Sequence, residues 1–302
     1  MTTIQNIQHM SGYIVQTTLS KSISFSGIGM HSGKLTHLTI KPAPENHGIK
    51  FRRVDLPGTQ DIQALFKLVV DTSLATVLGT NGAIVSTIEH LMAGFSGLGI
   101  DNALVEIDDY EIPIMDGSAK IFTQMMEAAG IVYQDAPKHY FIVKKPIEVF
   151  DNDKSVSVYP EACFKITCRI DFPHPLIGKQ EISFDKENDN FEKDISRART
   201  FGFVQDLEVL KKFSLGKGGS LDNAIIIDED RILNEEGLRY PDEFVRHKLL
   251  DSLGDFSLLG MPIKGHIITH KSGHTLNHLF IETFLKNKDA WETGPAKYND
   301  AP

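Results

Sequence analysis

His247 and Asp251 stand four residues apart in Asp242-Glu-Phe-Val-Arg-His247-Lys-Leu-Leu-Asp251. On a helix that spacing places both side chains on one face, about a turn apart. An imidazole nitrogen beside a carboxylate oxygen is a ligand pair suited to a tetrahedral divalent ion. Asp255, another turn on, shares the face and can orient a neighbour. The same pattern also fits an exposed His/Asp pair on a charged helix, and spacing leaves both readings open. Glu89-His90 is a second candidate. Adjacent residues on a helix diverge by about 100°, which suits one ligand and one base better than two ligands. A catalytic zinc site wants three protein ligands and a water whose pKa falls towards about 7, whereas an acid in a first turn is also favoured by the helix dipole alone. His274 and His278 repeat the four-residue spacing after Lys271-Ser-Gly273. They are either further ligands, or His274 faces a pocket while His278 is exposed. Ser196-Arg-Ala-Arg-Thr200-Phe-Gly-Phe203 sets two cations before a hydroxyl and two aromatics. That is equally compatible with phosphate binding and with a solvated helix start.

Several elements must carry these residues. Ser86 or Thr87 reads as the cap of a helix reaching Gly97, with Ile88, Leu91, Met92 and Phe95 as its apolar stripe. A strand over 100–107, a turn at 111–118 and a helix from Ala119 to Ala129 follow. Residues 22–54 alternate in short runs broken by Gly and Pro, a strand pattern; the Gly27–Gly33 stretch reads as a tight turn that happens to carry His31. After Pro137 and Lys138, which mark a linker, strands are expected at Tyr140–Val149, Ser155–Tyr159 and Phe164–Asp171. A helix over 242–255, a strand over 265–270 and a helix over 274–286 complete the chain. Gly97 follows His90 by seven residues and Gly254 follows His247 by seven, and an apolar strand comes after each. This weak echo is what a duplicated α+β unit would leave.

Composition narrows the class. The chain of 302 residues is 41% apolar and 24% charged, ordinary for a folded protein and long enough for two domains. Its formal charge of −9 argues against a nucleic-acid binder, whose affinity rests on a basic surface. The two cysteines, Cys163 and Cys168, read as core residues in a reduced, cytoplasmic compartment. No apolar run reaches the about 18 residues that span a bilayer, and residues 1–12 read as an unpatterned leader. A structural zinc protein would normally close its site with four Cys/His ligands, a reading that two separated cysteines do not support.

Taken together, Ser86-Thr-Ile-Glu-His-Leu91, Glu111-Ile-Pro-Ile-Met-Asp-Gly-Ser118, Ser196-Arg-Ala-Arg-Thr-Phe-Gly202, Asp242-Glu-Phe-Val-Arg-His-Lys248 with Asp251, and Lys271-Ser-Gly-His274 resemble the UDP-3-O-acyl-N-acetylglucosamine deacetylases in order and spacing, over about residues 20–292. The resemblance implies an α+β fold of two topologically similar domains, 1–137 and 138–302, with helices sandwiched between two sheets. It implies a hydrolase with one catalytic Zn²⁺, acting as a cytoplasmic monomer without stable membrane insertion, on a UDP-linked acylated glucosamine in lipid A synthesis. The family's zinc ligands fall on His90, His247 and Asp251, and its catalytic groups on Glu89, His274, Asp255 and Thr200. Its substrate contacts fall on Lys248, Phe201, Asp171, Phe172, Lys154 and Lys271. A βαβ insert at about 203–227, with Leu207, Leu210, Gly219 and Ser220, would receive the acyl chain. The sequence departs from common family patterns at Ala75, often Cys, and at Gly216, often larger; a catalytically silent binder would have lost Glu89 or a ligand.

Overall fold

The apolar alternation after Ser22 closes into a hairpin, Ile23–Ile28 against Leu35–Pro42, with Ile23 opposite Ile40 and Phe25 opposite Leu38. In the computed structural model of the protein, which describes residues 12–295, this hairpin opens a five-stranded sheet. Ala103–Ile107 lies antiparallel to Leu35–Pro42 and parallel to Ile49–Arg53, and Ile62–Gln63 closes the far edge. Ala103, Val105 and Ile107 are buried while Leu104 and Glu106 are not, the two-residue period of a strand with one face on the core. Helix α1 (Glu89–Leu98) precedes Ala103–Ile107 and helix α2 (Lys120–Ala129) follows it. Phe122, Met126 and Ala129 form the buried stripe of α2. Burying a phenylalanine such as Phe122 or Phe95 contributes about 1.5–3 kcal/mol.

The second half repeats this plan. Ile147–Asp151 and Lys154–Tyr159 form a hairpin, and Ile263–His270 runs antiparallel to the second of them and parallel to Phe164–Asp171. Lys179–Asp185 flanks Phe164–Asp171, and His139–Val143 and Trp291–Pro295 complete a seven-stranded sheet. Between these come α3 (Phe191–Asp194), a single turn, and α4 (Val204–Lys212), then α5 (Glu243–Ser257) before Ile263–His270 and α6 (His274–Lys286) after it. The order hairpin, strand pair, helix, central strand, helix therefore occurs twice. Helix α1 packs on α5, which also lies on Phe164–Asp171. The two inner helices are buried almost throughout, so their polar residues must be paired or ligating.

Two glycines set how closely the halves meet. A Cβ on Gly254 would sit 2.1 Å from the Glu89 carbonyl oxygen, so only glycine lets α5 touch the start of α1. Gly117, at φ +81°, lies where a Cβ would meet the Asn223 carbonyl oxygen at 2.0 Å.

Some expectations are corrected. Helix α1 starts at Glu89, with no side-chain cap from Ser86 or Thr87. Thr87 adopts φ +59° and its hydroxyl donates to Glu111, because Ser86 is held beside Glu111 in a β-bridge that turns the chain before the helix begins. The run Tyr140–Val149 is two strands, His139–Val143 and Ile147–Asp151, interrupted at Pro146, which has no N–H to donate to a ladder. The expected linker is tied down: the Lys138 ammonium lies 2.8 Å from Asp101 and donates to the Gly99 carbonyl. Val15–Leu19 pairs with Ile131–Pro137, and the small sheet Val69–Asp71, Val77–Thr80 and Ala83–Val85 also went unread in the sequence. Apart from Gly12, the expected leader lies outside the described residues. Among the described residues no helix is long and apolar enough to cross a membrane.

Candidate active site

Helices α1 and α5 pack together with three candidate ligands facing one another. His90 sits in the first turn of α1, while His247 and Asp251 lie a turn apart on α5. Asp251 Oδ1 is 3.4 Å from His90 Nε2 and 3.3 Å from His247 Nε2, and the three candidate ligand atoms all lie within 4.8 Å of one another. His247 Nδ1 stands 3.1 Å from the Ala198 carbonyl, which can only accept, so Nδ1 carries the proton and Nε2 presents a lone pair. Burial pushes His247 down to about 3, leaving it neutral, as a ligand must be. For Asp251, burial opposes the charge, but the Lys248 ammonium 2.9 Å away, with the His274 cation behind it, holds the carboxyl well below its usual range. Asp251 Oδ1 has no hydrogen-bond partner. A buried carboxylate oxygen facing an imidazole lone pair at 3.3 Å is repulsive unless a cation lies between them. Ligands about 2.0–2.1 Å from a tetrahedral ion stand about 3.3 Å apart. The three residues therefore fit a divalent metal.

Glu89 and His274 flank this set. Glu89 is buried, which raises its carboxyl above the ordinary range even though His274 and His90 oppose the shift, and one oxygen, Oε2, accepts the Thr76 backbone N–H at 3.0 Å. His274 opens α6 and donates from Nδ1 to Asp255 Oδ2 at 2.8 Å. Burial opposes its charge, yet Asp255, with Glu89 and Asp251 behind it, pushes the imidazole up to about 10. Asp255 also accepts from the Thr76 hydroxyl at 2.6 Å and from Asn277 at 2.8 Å. His278 is not simply exposed: it is half-buried with its ring 6.2 Å from Phe66.

The segment Ala198–Phe201 is fastened from behind. The Thr200 N–H donates to the Gly117 carbonyl, and the Thr200 carbonyl accepts from Ile225. Arg199 is fully buried, with its guanidinium on Glu243 at 3.0 Å, Glu236 at 2.6 Å and the Gly237 carbonyl. Neither sequence reading of this motif holds for Arg199: it is an internal ion pair, bound neither to solvent nor to a phosphate. Glu243, on the first turn of α5, also accepts the backbone N–H groups of Arg199 and Arg239.

The expected substrate contacts separate into groups. Phe201 lies 5.6 Å from the Phe172 ring, 6.2 Å from the His247 ring and 5.7 Å from the Lys248 ammonium, forming an aromatic wall beside the ligands. Lys271 is already held by Asp153 at 2.9 Å and Asp171 at 3.0 Å. Lys154 is exposed in the neighbouring hairpin and borders the group only through Asp153. Leu207 and Leu210 are half-buried on α4, between the parallel strands Phe201–Phe203 and Ile225–Ile227. Gly219 and Ser220 lie in an exposed turn; Ser220 accepts the Asn223 and Ala224 N–H groups through its carbonyl, and the preceding Gly218 donates to Met30. Sequence reasoning missed Thr76, Arg199, Glu243 and Asn277. Arg199 had a signal in its motif, but Thr76 had none, because its partner Asp255 is 179 residues away.

Comparison with known proteins agrees with this geometry. The family model for UDP-3-O-acyl N-acetylglycosamine deacetylase (LpxC) matches residues 16–286. The chain is 50% identical to the UDP-3-O-acyl-N-acetylglucosamine deacetylase of Myxococcus xanthus, over 93% of this chain and 90% of the relative. It is 48% identical to that of Acidithiobacillus ferrooxidans, over 92% of each, and 49% to that of Saccharophagus degradans, over 92% and 93%. A match across nearly the whole chain at such identity, with the motif residues of both halves inside it, means that this chain belongs to the UDP-3-O-acyl-N-acetylglucosamine deacetylase family.

Proposed function

We propose that the protein hydrolyses the 2-acetamido group of a UDP-3-O-(3-hydroxyacyl)-N-acetylglucosamine, releasing acetate and leaving the free amine for lipid A synthesis. The observation that supports this most is the meeting of the His90, His247 and Asp251 donor atoms within 4.8 Å, between Glu89 and His274. One Zn²⁺ held by those three residues would supply Lewis acidity towards the acetamide carbonyl and a lowered water pKa. Glu89, with Oε2 held by Thr76, takes the proton of the attacking water on Oε1. The Thr200 hydroxyl donates to the oxygen as it gains charge. His274, cationic through Asp255, gives its Nε2 proton to the departing amine.

Substrate placement follows the same reading. Phe201 and Phe172 offer faces for the sugar nucleotide, Asp171 accepts from the uracil or ribose, and Lys248 meets an anionic oxygen. Lys271, already balanced by two carboxylates, and the outlying Lys154 are secondary diphosphate contacts. Leu207 and Leu210 line the path of the acyl chain, with Gly219 and Ser220 at its rim. The reading includes a cytoplasmic monomer without a nucleic-acid partner, an expectation that the −9 charge supports.

Acetate release by the purified protein, measured before and after chelation and after zinc return, tests the proposal. Release is expected to vanish with the metal and come back with it. Glu89→Gln is expected to lose on the order of 10²- to 10⁴-fold in kcat while keeping its metal. A folded, zinc-loaded wild-type protein that releases no acetate at any acyl length would overturn it.

A further inference from the structure

Thr76 belongs to no motif read from the sequence, yet it touches all three helices that carry the chemistry. It is 2% exposed and stands just before the strand Val77–Thr80. Its backbone is fastened to the start of α1: its carbonyl accepts the Ile88 N–H at 3.4 Å and its N–H donates to Glu89 Oε2 at 3.0 Å. Its hydroxyl reaches α5 and α6. The single hydroxyl proton goes to Asp255 Oδ1 at 2.6 Å, since a carboxylate only accepts. The hydroxyl oxygen then faces His274 Nδ1 at 3.3 Å with a lone pair. The Nδ1–H is consequently shared between Asp255 Oδ2 at 2.8 Å and Thr76 Oγ1, which fixes the ring plane and leaves Nε2 as the only nitrogen for proton transfer. Asn277 also holds Asp255 Oδ2, while its own oxygen accepts from Ser272.

We infer that Thr76 is a positioning residue for the deacetylation: one side chain and its own peptide group set the orientation of Glu89 and of the Asp255–His274 pair relative to each other. This rests on the proposed function above. Misplacement of reacting groups by about 1 Å costs on the order of 10²-fold in rate, so the effect belongs to the chemical step and not to substrate binding.

The test compares Thr76→Val, which keeps the shape and loses the hydroxyl, with Thr76→Ser, which keeps the hydroxyl; Thr76→Ala stands in should the valine not fold. Expected for the valine variant are wild-type metal content, KM within about twofold, and kcat lower by on the order of 10- to 100-fold. Serine is expected to restore kcat to within about threefold of wild type. Unchanged kcat in a folded, metal-loaded valine variant overturns the inference. So does a loss confined to KM, or an equal loss in the serine variant. NMR of ¹⁵N-histidine-labelled, metal-loaded protein reads the His274 Nδ1–H without turnover: a slowly exchanging proton in wild type should exchange faster in the valine variant. Should wild type release no acetate, the functional reading fails, and this signal still decides Thr76; an unaltered signal sinks it.

Discussion

In the proposed reaction Glu89 takes a proton and His274 gives one, and the surroundings of both raise their hold on a proton. Glu89 is raised by burial, which favours a carboxyl able to take a proton. His274 is held cationic because Asp255 outweighs the same burial. That cation is also a stability element. Its folded pKa is about 10, against about 6.5 for a free imidazole. A raised folded pKa stabilises the fold fully below the unfolded value, and the contribution fades as pH rises to the folded one. In metal-free protein, the stability gap between wild type and His274→Asn is therefore expected to be widest at about pH 6 and to close towards about pH 10. Urea unfolding of both proteins at pH 6, 8 and 10 checks this, and a gap that does not change with pH contradicts it.

Helix α5 carries two of the three candidate metal ligands, but the peptide that orients one of them lies in the loop before Phe201–Phe203, and Glu243 joins the two. It accepts from the Arg199 backbone and guanidinium, next to the Ala198 carbonyl that fixes His247 Nδ1. Losing Glu243 would leave the buried Arg199 with only the exposed Glu236 as a carboxylate partner, at a cost of about 3 kcal/mol. Glu243→Gln is expected to lower Tm by about 5 °C and to weaken metal binding about tenfold as the orientation of His247 relaxes. Calorimetry and chelator competition measure the two; a lower Tm with unchanged affinity would mean that Glu243 serves the fold alone. The spacing of His247, Asp251 and Asp255 was legible because helix geometry is local. So was the pairing of Glu89 and His90 at the start of one helix. The roles of Thr76 and Glu243 were not, since each depends on a partner tens to hundreds of residues away that periodicity does not encode. The break in Tyr140–Val149 was hidden for a different reason: Pro146 ends one strand, and Ile147–Asp151 resumes elsewhere in the same sheet, yet the apolar pattern barely pauses.

At the scale of the molecule, neither half holds a complete site. The first supplies Glu89, His90 and Thr76, and the second supplies His247, Asp251, Asp255 and His274, so the proposed chemistry depends on how closely α1 and α5 approach. The sequence echo that pairs Gly97 with Gly254 marks this unequally. Gly254 lies against the rigid Glu89 carbonyl, whereas a Cβ on Gly97 would first meet the Phe191 ring, at 2.1 Å. A methyl at either position overpacks by about 1–3 kcal/mol, but only at position 254 does relief require moving the backbone that carries Glu89 and His90. Gly254→Ala is therefore expected to lose metal affinity and kcat together, beyond its loss in stability. Gly97→Ala, which can displace a side chain remote from the ligands, is expected to lose stability while keeping the metal. Urea unfolding of both, with chelator competition on the folded fraction, separates the two effects. Equal metal affinity in the two variants would show that the helix crossing tolerates adjustment, and that the site is held instead by the side-chain bonds through Thr76 and Glu243.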